Sequence, residues 1–410
     1  MKGAAGIEVL QLEVLNKLIE MIPIPPSMFF SNLLAAVPYD SDTIRWEIEY
    51  NSGGMTPFVA PGSVAPTVGI DGVSEASARA AYWKEKMYFD EEFLNNLRLP
   101  GTHATYQRAE RQLARGAQKL KNRCSRRREW MAANMFLNGA ITYSIKGGAK
   151  FTVSYGVPES HIVTLDSSRY WSDGASKNIV EDIMDAKSVL RTDAGIAPTY
   201  AVVNSELLKL LVLDSSIQAL LTKSAFGEGD LFARPAQVIG TLLGVGTLTV
   251  YDDLYEIVAW LTATPSGTTI YLDDVSDFEV GGTARFINMS AYNTYEDETI
   301  SAVDVESGTI TVGAAPTASF VGGRDKVVMR KKFIPDNVFF LFSNTQEEGV
   351  AVGEFMEAPY GLDRRWGFFA DSKDEWDPEG VWLRVQDKGL PVLYYPDTTY
   401  KLTVYEEDEY

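Results

Sequence analysis

The stretch NRCSRRREWMAANMF, Asn122 to Phe136, sets Arg123, Arg126, Arg127 and Arg128 within six residues of a chain whose formal charge is −19. Followed in both directions, it belongs to a helix expected over 102–137. Leu113, Leu120 and Cys124 share one face with Tyr106, Ala109 and Ala117, at spacings of three and four. Arg108, Arg111, Arg115, Lys119 and Arg126 share another face. Gly116 weakens such a helix by about 1 kcal/mol relative to alanine. At about 1.5 Å per residue the helix would run roughly 54 Å. That is longer than most domains need, and it reads as a beam.

From Arg108 to Glu129, nine lysines and arginines face two acids, Glu110 and Glu129. Such a stripe can contact phosphate, or it can neutralise carboxylates elsewhere in the protein. Residues 1–150 hold 18 Lys and Arg against 15 Asp and Glu, and the remainder holds 19 against 41. A protein that coats DNA would be basic overall. No Phe/Tyr interleaving suggests base stacking. The reading adopted is pairing with carboxylates, which arginine can do bidentately. A weak, sequence-independent attraction to nucleic acid stays open for one face.

The chain has 410 residues, 45% apolar and 23% charged, an ordinary globular composition for two or three domains or one elaborated domain. No apolar run approaches the roughly 20 residues of a membrane span. Lys2 precedes GIEVLQLEVLNKLIEMI, whose glutamates interrupt any signal-peptide core. The expectation is a protein kept in the cytoplasm or exported only within something larger. One cysteine excludes an internal disulfide. His103 and His161 are too few for a Cys/His zinc site.

The opening GIEVLQLEVLNKLIEMI reads as a short amphipathic helix stopped by PIPP. Ile44, Trp46 and Ile48 alternate with Arg45, Glu47 and Glu49 as a strand. The Gly/Pro-rich NSGGMTPFVAPGSVAPTVGIDGVSE follows, then a second strand-like run, ARAAYWKEKMYFDEE. Together they describe an extended arm that lies on another subunit. AITYSIKGGAKFTVSYGVP is a hairpin turning at Gly147 and Gly148. A helix capped by Asp173 or Ser176 and stopped near Gly195 follows. The strand TYAVVN, helical SELLKLLVLDSSIQALLT and strand TLTVYDD suggest an α/β core. From Ser266 to Val328, short strands with Gly-rich turns predict a small Greek-key barrel. NVFFLF, VWLRVQD and YKLTVY are later strands, and YEEDEY is an acidic tail.

Catalytic patterns do not emerge. Walker, GxGxxG, HExxH and GxSxG motifs are missing. The pairs Asp252–Asp253 and Asp273–Asp274 could hold a hard cation, but such pairs are common in solvated turns. Asp304 and Glu306 fit the wet face of a strand. Cys124 reads as a packed small hydrophobe, and His161 as a structural hydrogen-bonder. No catalytic, cofactor-binding or metal residue is assigned.

The order of parts resembles the lambda-like capsid protein E family of tailed-bacteriophage major capsid proteins, with the Hong-Kong-97-type fold. The resemblance rests on several segments in sequence. They are PPSMFFSNLLAAVPYDSDTIRWEIEYNSGGMTPFVAPGS, RLPGT (98–102), REWMAANMFLNGAITY (128–143), FTVSYGVPESHIVTL, YWSDGASKNIVEDI, FIPDNVFFLFSN and VGEFMEAPYG. It implies an α+β fold in which a long spine helix lies on a β-sheet beside an α/β axial domain and an extended loop. Residues 1–42 would be an N-terminal arm and 43–95 the extended loop. Residues 96–168 would be a peripheral domain with its spine helix at 102–137 and the 141–165 hairpin. Residues 169–263 would form the axial domain, 264–330 an inserted β-barrel and 331–380 the axial return. Residues 381–410 would add peripheral strands and the acidic tail.

By the same resemblance the chain would be a head protein, not an enzyme, of a tailed double-stranded DNA phage or prophage. It would assemble with itself into hexamers, pentamers and an icosahedral shell. Scaffold, portal and decoration proteins would be partners, with non-specific contact to packaged DNA and none to membrane. Assembly would occur in the host cytoplasm and the product would be the virion. Phe29, Phe30, Met55, Phe58, Val59 and Val64 would contact neighbouring subunits. Arg123, Arg126, Arg127 and Arg128 would divide between acidic partners and the inner surface. A tail or baseplate structural protein is the alternative, and a cation-dependent hydrolase using the Asp pairs is a third reading.

Overall fold

A computed structural model describes residues 11–49, 56–62, 64, 74–98, 103–144, 150–172, 175–224, 226, 228–346 and 349–406. In chain order the elements begin with α1 (Leu12–Met21), α2 (Phe29–Leu33), β1 (Ala35–Pro38), β2 (Thr43–Ile48), β3 (Ser74–Arg79), β4 (Ala81–Asp90), α3 (Glu91–Arg98) and α4 (His103–Asn138). Next come β5 (Ala140–Ser144), β6 (Lys150–Ser154), β7 (Ile162–Thr164), α5 (Ile179–Asp193), β8 (Tyr200–Val203), α6 (Ser205–Leu213), α7 (Ser215–Leu221), α8 (Glu228–Ala233), α9 (Pro235–Leu243) and β9 (Thr247–Val250). The remainder is β10 (Leu254–Trp260), β11 (Thr269–Tyr271), β12 (Thr283–Ile287), β13 (Tyr295–Asp304), β14 (Thr309–Val312), β15 (Lys326–Lys332), β16 (Val338–Phe342), β17 (Gly353–Glu357), β18 (Phe369–Trp376), β19 (Glu379–Leu393) and β20 (Thr399–Thr403). They fall into two units, one of residues 1–137, 190–197 and 343–399, the other of 138–189, 198–342 and 400–410.

The first unit is organised around β19. Strands β4, β17 and β18 pair with it antiparallel, and β1 lies parallel to β17. Helix α4 lies across this sheet. Its residues Leu113, Ala117, Leu120 and Cys124 pack with Phe89, Val381, Leu383 and Val385, and with Leu15 and Ile19 of α1. Each large side chain buried in this way stabilises the unit by about 1.5–3 kcal/mol. The spacing of three and four read from the sequence is therefore the contact line. Gly116 has a packing reason, because a Cβ there would meet Phe89 Cζ at 3.0 Å. The missing side chain lets the rod approach β4. The expected alternation also holds in β2, where Ile44, Trp46 and Ile48 point inward and Arg45 and Glu47 outward. Strand β3 pairs with β2 antiparallel.

The second unit contains a five-stranded sheet in the order β7-β20-β16-β8-β9. Its central strand, VFFLF, is buried at every position, as expected for a strand covered on both faces. Parallel β8 and β9 are joined through α6–α9, the strand–helix–strand pattern read from the sequence. Local chemistry divides that crossover. Asn204 caps α6 by accepting from the Leu207 amide, and Asp214 caps α7 by accepting from Ser216 and Ile217. Pro235 starts α9, and Gly244, at φ 59°, ends it. At Gly246 a Cβ would sit 2.3 Å from the Thr199 carbonyl oxygen, so only glycine fits beside β8.

A six-stranded sheet in the same unit has the order β10-β15-β12-β13-β14-β11, and its outer strands meet at the Leu261–Leu272 bridge. Strand β11 lies beside β14 while β12, β13 and β14 run consecutively, a Greek-key order. Phe286, Phe320, Ile300 and Met329 fill its core. The sheet starts earlier than the expected 264, because β10 pairs along the whole of β15.

Three boundaries differ from expectation. Strands β17 and β18, placed in the axial return, join the first unit because β19 is long enough to pair with both. The β5–β6 hairpin, placed in the peripheral domain, belongs to the second unit, and its strands pair with one another. Strand β20 enters the second unit's sheet between β7 and β16. The Gly147–Gly148 turn and the Asp173 cap lie outside the described residues. Ser176 is not the acceptor at the start of α5: the Glu181 amide donates to the Asn178 side chain at 3.4 Å.

Candidate assembly site

The four arginines have four different environments. Arg128 is buried in the first unit. Its Nε donates to Asp387 Oδ2 at 2.5 Å, and its Nη2 donates to Asp387 Oδ1 and Glu357 Oε1, each at 2.8 Å. The guanidinium lies 4.4 Å from the Phe355 ring centroid and 4.1 Å from that of Phe368. Burial alone would lower its pKa, but Asp387 and Glu357 outweigh it and hold the charge more firmly than usual. Arg123 is half-buried and pairs with Glu85 of β4 at 2.5 Å. Arg127 lies over the Trp130 ring at 5.3 Å. Arg126 is exposed and forms no ion pair among the described residues.

Two charged neighbours, unassigned in the sequence reading, fasten the N-terminal segment. Glu129 is fully buried and accepts from the Phe30 and Ser31 amides at 2.9 and 2.6 Å. These are donors at the start of α2 that the helix itself leaves unpaired. Buried Lys121 donates to the Ile19 carbonyl at 2.7 Å and to the Ile22 carbonyl, at the end of α1. Burial, then Arg128, pulls its ammonium below the ordinary lysine value. A carboxylate at a helix start and an ammonium at a helix end both match the helix dipole. Period held the signal for each: Lys121 is four residues beyond Ala117, and Glu129 is four beyond buried Ser125.

The apolar arm and loop residues separate just as clearly. Phe30, expected to face a neighbour, is sealed inside its own unit and stacks on Phe136 at 5.8 Å. Its place is fixed by the Glu129 cap. Phe29 is half-buried and meets Phe30 edge-on at 5.2 Å. Phe58, Val59 and Val64 are exposed, with Phe58 at 104% and Val64 at 92% of full accessibility. Met55 lies outside the described residues.

Three of the four paired carboxylates accept hydrogen bonds from backbone amides. Asp252 accepts from the Ser205 amide at 2.8 Å, Asp273 from the Trp260 amide at 2.7 Å, and Asp274 from the Ser276 amide at 3.0 Å. Among the described residues no three His, Cys, Asp or Glu groups are placed to hold a metal. His161 is buried with its ring 5.9 Å from that of Tyr400. The Cys124 thiol is pushed up to about 12, chiefly by burial. Among the described residues no helix is long and apolar enough to cross a membrane.

The first unit carries a spine helix on a β19-centred sheet and an exposed apolar loop, and the second carries an α/β sheet. The sequence profile described as phage major capsid protein E matches residues 11–297. The chain belongs to the phage major capsid protein E family. A comparison with curated proteins gives no match. Among solved structures, a protein described as a prophage capsid protein from E. coli CFT073 matches with a TM-score of 0.53 at 14% identity, over 97% of this chain and 99% of that one. At that identity the likeness is one of fold. A phage-related protein from Bordetella bronchiseptica RB50 gives 0.48 at 9% identity, covering 95% and 96% of the two chains. The capsid of cyanophage P-SCSP1u gives 0.42 at 10%, covering 92% and 87%. This member of the capsid protein E family has the Hong-Kong-97-type α+β fold and is a shell-forming major capsid protein of the virion.

Proposed function

We propose that the shell is the icosahedral head of a tailed double-stranded DNA phage or prophage, built from hexamers and pentamers of this chain without any catalytic step by it. The observation that supports this best is the loop between β2 and β3. Phe58 and Val64 are fully exposed there on a coil segment. Apolar side chains presented in this way mark a protein-binding surface. On a neighbouring subunit they would be buried, and many such contacts around a closed shell sum by avidity. Met55 and Val59 belong to the same contact. Phe29, half-exposed on α2, adds to it from the arm, whereas Phe30 works inside its own subunit.

Arg126, exposed on α4, pairs with an acidic partner on a neighbouring subunit, whereas Arg127, on another face of the helix, faces the inner surface and attracts packaged DNA weakly and without sequence preference. A separate scaffold, a portal and decoration proteins complete the head, and assembly takes place in the host cytoplasm. Deletion of residues 51–74 tests the loop's role. The expected product is a soluble subunit that forms no closed particles in negative-stain electron microscopy. Normal shells from the deletion would refute that role, and tubes or rings from the intact chain would favour a tail protein instead.

A further inference from the structure

Trp376 stands at the tip of the β18–β19 hairpin and is 91% exposed, although tryptophan is on average highly buried. The tip is held in place. The Tyr88 hydroxyl donates to the carbonyls of Pro378 and Glu379 at 2.8 and 3.0 Å. A Cβ at Gly380 would lie 2.3 Å from that hydroxyl, so the close approach requires glycine. The Tyr88 and Trp382 rings pack at 4.8 Å. The exposed indole therefore projects from a braced turn. Exposed Asp374, Asp377 and Glu379 surround it in sequence.

The same unit bears a complementary surface. Arg111, Arg115, Lys119 and Arg126 of α4 are exposed and form no ion pairs among the described residues. At about 100° per residue they fall within an arc of roughly 80°. That arc lies opposite Leu113, Ala117, Leu120 and Cys124, which pack on the sheet. Carboxylates pair with the guanidinium fork, and an indole face attracts a guanidinium. An arginine stripe thus suits both parts of the tip, whereas an apolar partner would suit only the indole. Tip against tip would oppose like charges, which is costly.

We propose that the acidic tip bearing Trp376 docks on the Arg111–Arg126 stripe of the spine helix in a second copy of this chain. The inference rests on the shell reading and names one of the contacts that build the shell. The two surfaces are different patches of one unit, so the contact is head-to-tail, the type that generates rings and extended lattices.

Full-length protein carrying Trp376→Ala, the pair Arg111→Glu with Arg115→Glu, the pair Asp377→Lys with Glu379→Lys, or both reversed pairs together tests the contact. Sedimentation and electron microscopy at low and physiological salt give the assembled fraction, and circular dichroism melts report the fold. Trp376→Ala and each reversed pair should lower the assembled fraction about tenfold or more at an unchanged melt. The combination should recover much of the loss, which no defect in folding would do. Assembly indifferent to the stripe reversal, or a combination no better than either pair alone, would overturn the contact. So would a stripe reversal that strips nucleic acid from particles without affecting their yield, since the stripe would then serve nucleic acid. Wild-type shells alongside fully assembling variants would remove this contact and leave the shell reading standing. A wild type that never assembles would remove both.

Discussion

Replacing Arg128 with methionine should destabilise the first unit by about 3–5 kcal/mol, the usual cost of removing one partner of a buried ion pair. The structure explains why the site belongs at that scale. Asp387 has no exposed surface, and both its oxygens accept from Arg128, at 2.5 and 2.8 Å. Without the guanidinium it keeps the Lys388 amide at 2.9 Å, one donor for a buried charge. Glu357 loses a partner too, but its side chain is 16% exposed and can reach water. Methionine would still fill the gap between Phe355 and Phe368, so the loss is mainly electrostatic. Against a typical total of about 5–15 kcal/mol this is a large fraction. Urea unfolding of unassembled subunits, followed by tryptophan fluorescence, measures it. The double variant Arg128→Met, Asp387→Leu removes both charges and should recover at least about 2 kcal/mol of the loss. A single variant costing less than about 1 kcal/mol would refute this account, as would a double variant no more stable than the single.

Glu129→Ala should cost about 2 kcal/mol, because two amides at the start of α2 lose their acceptor; hydrogen exchange should accelerate at Phe30 and Ser31 before the rest of the unit. Burial, then Asp387 and Glu85, raises the Cys124 thiol from 9.0 to about 12. The folded thiol stays neutral where an unfolded one ionises, so its contribution is intact below about pH 9 and is lost as pH rises towards 12. Cys124→Ala should flatten that part of the alkaline decline in paired urea titrations, and native Cys124 should resist alkylation. Asp325 is shifted the other way: the Arg324 side chain, then the Met289 and Val321 amides, hold it at about 2 instead of 3.8. Its contribution is present above about pH 4 and is lost as pH falls towards 2, so Asp325→Asn should lower neutral stability while reducing the acid dependence.

Much of this architecture is legible in the amino-acid order. The spine helix could be read because its apolar residues recur at one period for many turns, and β2 because three large apolar residues alternate with charges. The roles of individual charges were harder to read. Arg128 lies four residues beyond Cys124 and continues the buried line, whereas Arg126 falls on the exposed line of Arg111, Arg115 and Lys119. The period thus distinguishes them, but composition presents all four arginines as one basic cluster. The carboxylates that neutralise Arg128 sit at 357 and 387, and no local pattern joins residues so far apart. The burial of Phe30 is hidden in the sequence for a related reason. An apolar pair in a Pro-rich arm looks exposed until Glu129 supplies the cap that folds it inward. The assignment of β17 and β18 depended on the length of β19, which the proline at 391 and the glycines at 380 and 389 obscured. The exposed Trp376 at the hairpin tip has no signature in the sequence, because nothing local distinguishes an exposed tryptophan from a buried one.

The grips of Lys121 and Glu129 stand roughly 12 Å apart along one rigid helix. The chain from Ile22 to Met28 would reach about 23 Å if pulled straight. It therefore behaves as a strap with slack between two buckles. Tension on the polypeptide ahead of α1 is met first by Asn16, which exchanges two hydrogen bonds with the Ala370 backbone, then by the Lys121 buckle, and the slack must run out before the pull arrives at Glu129 and the aromatic packing of Phe30.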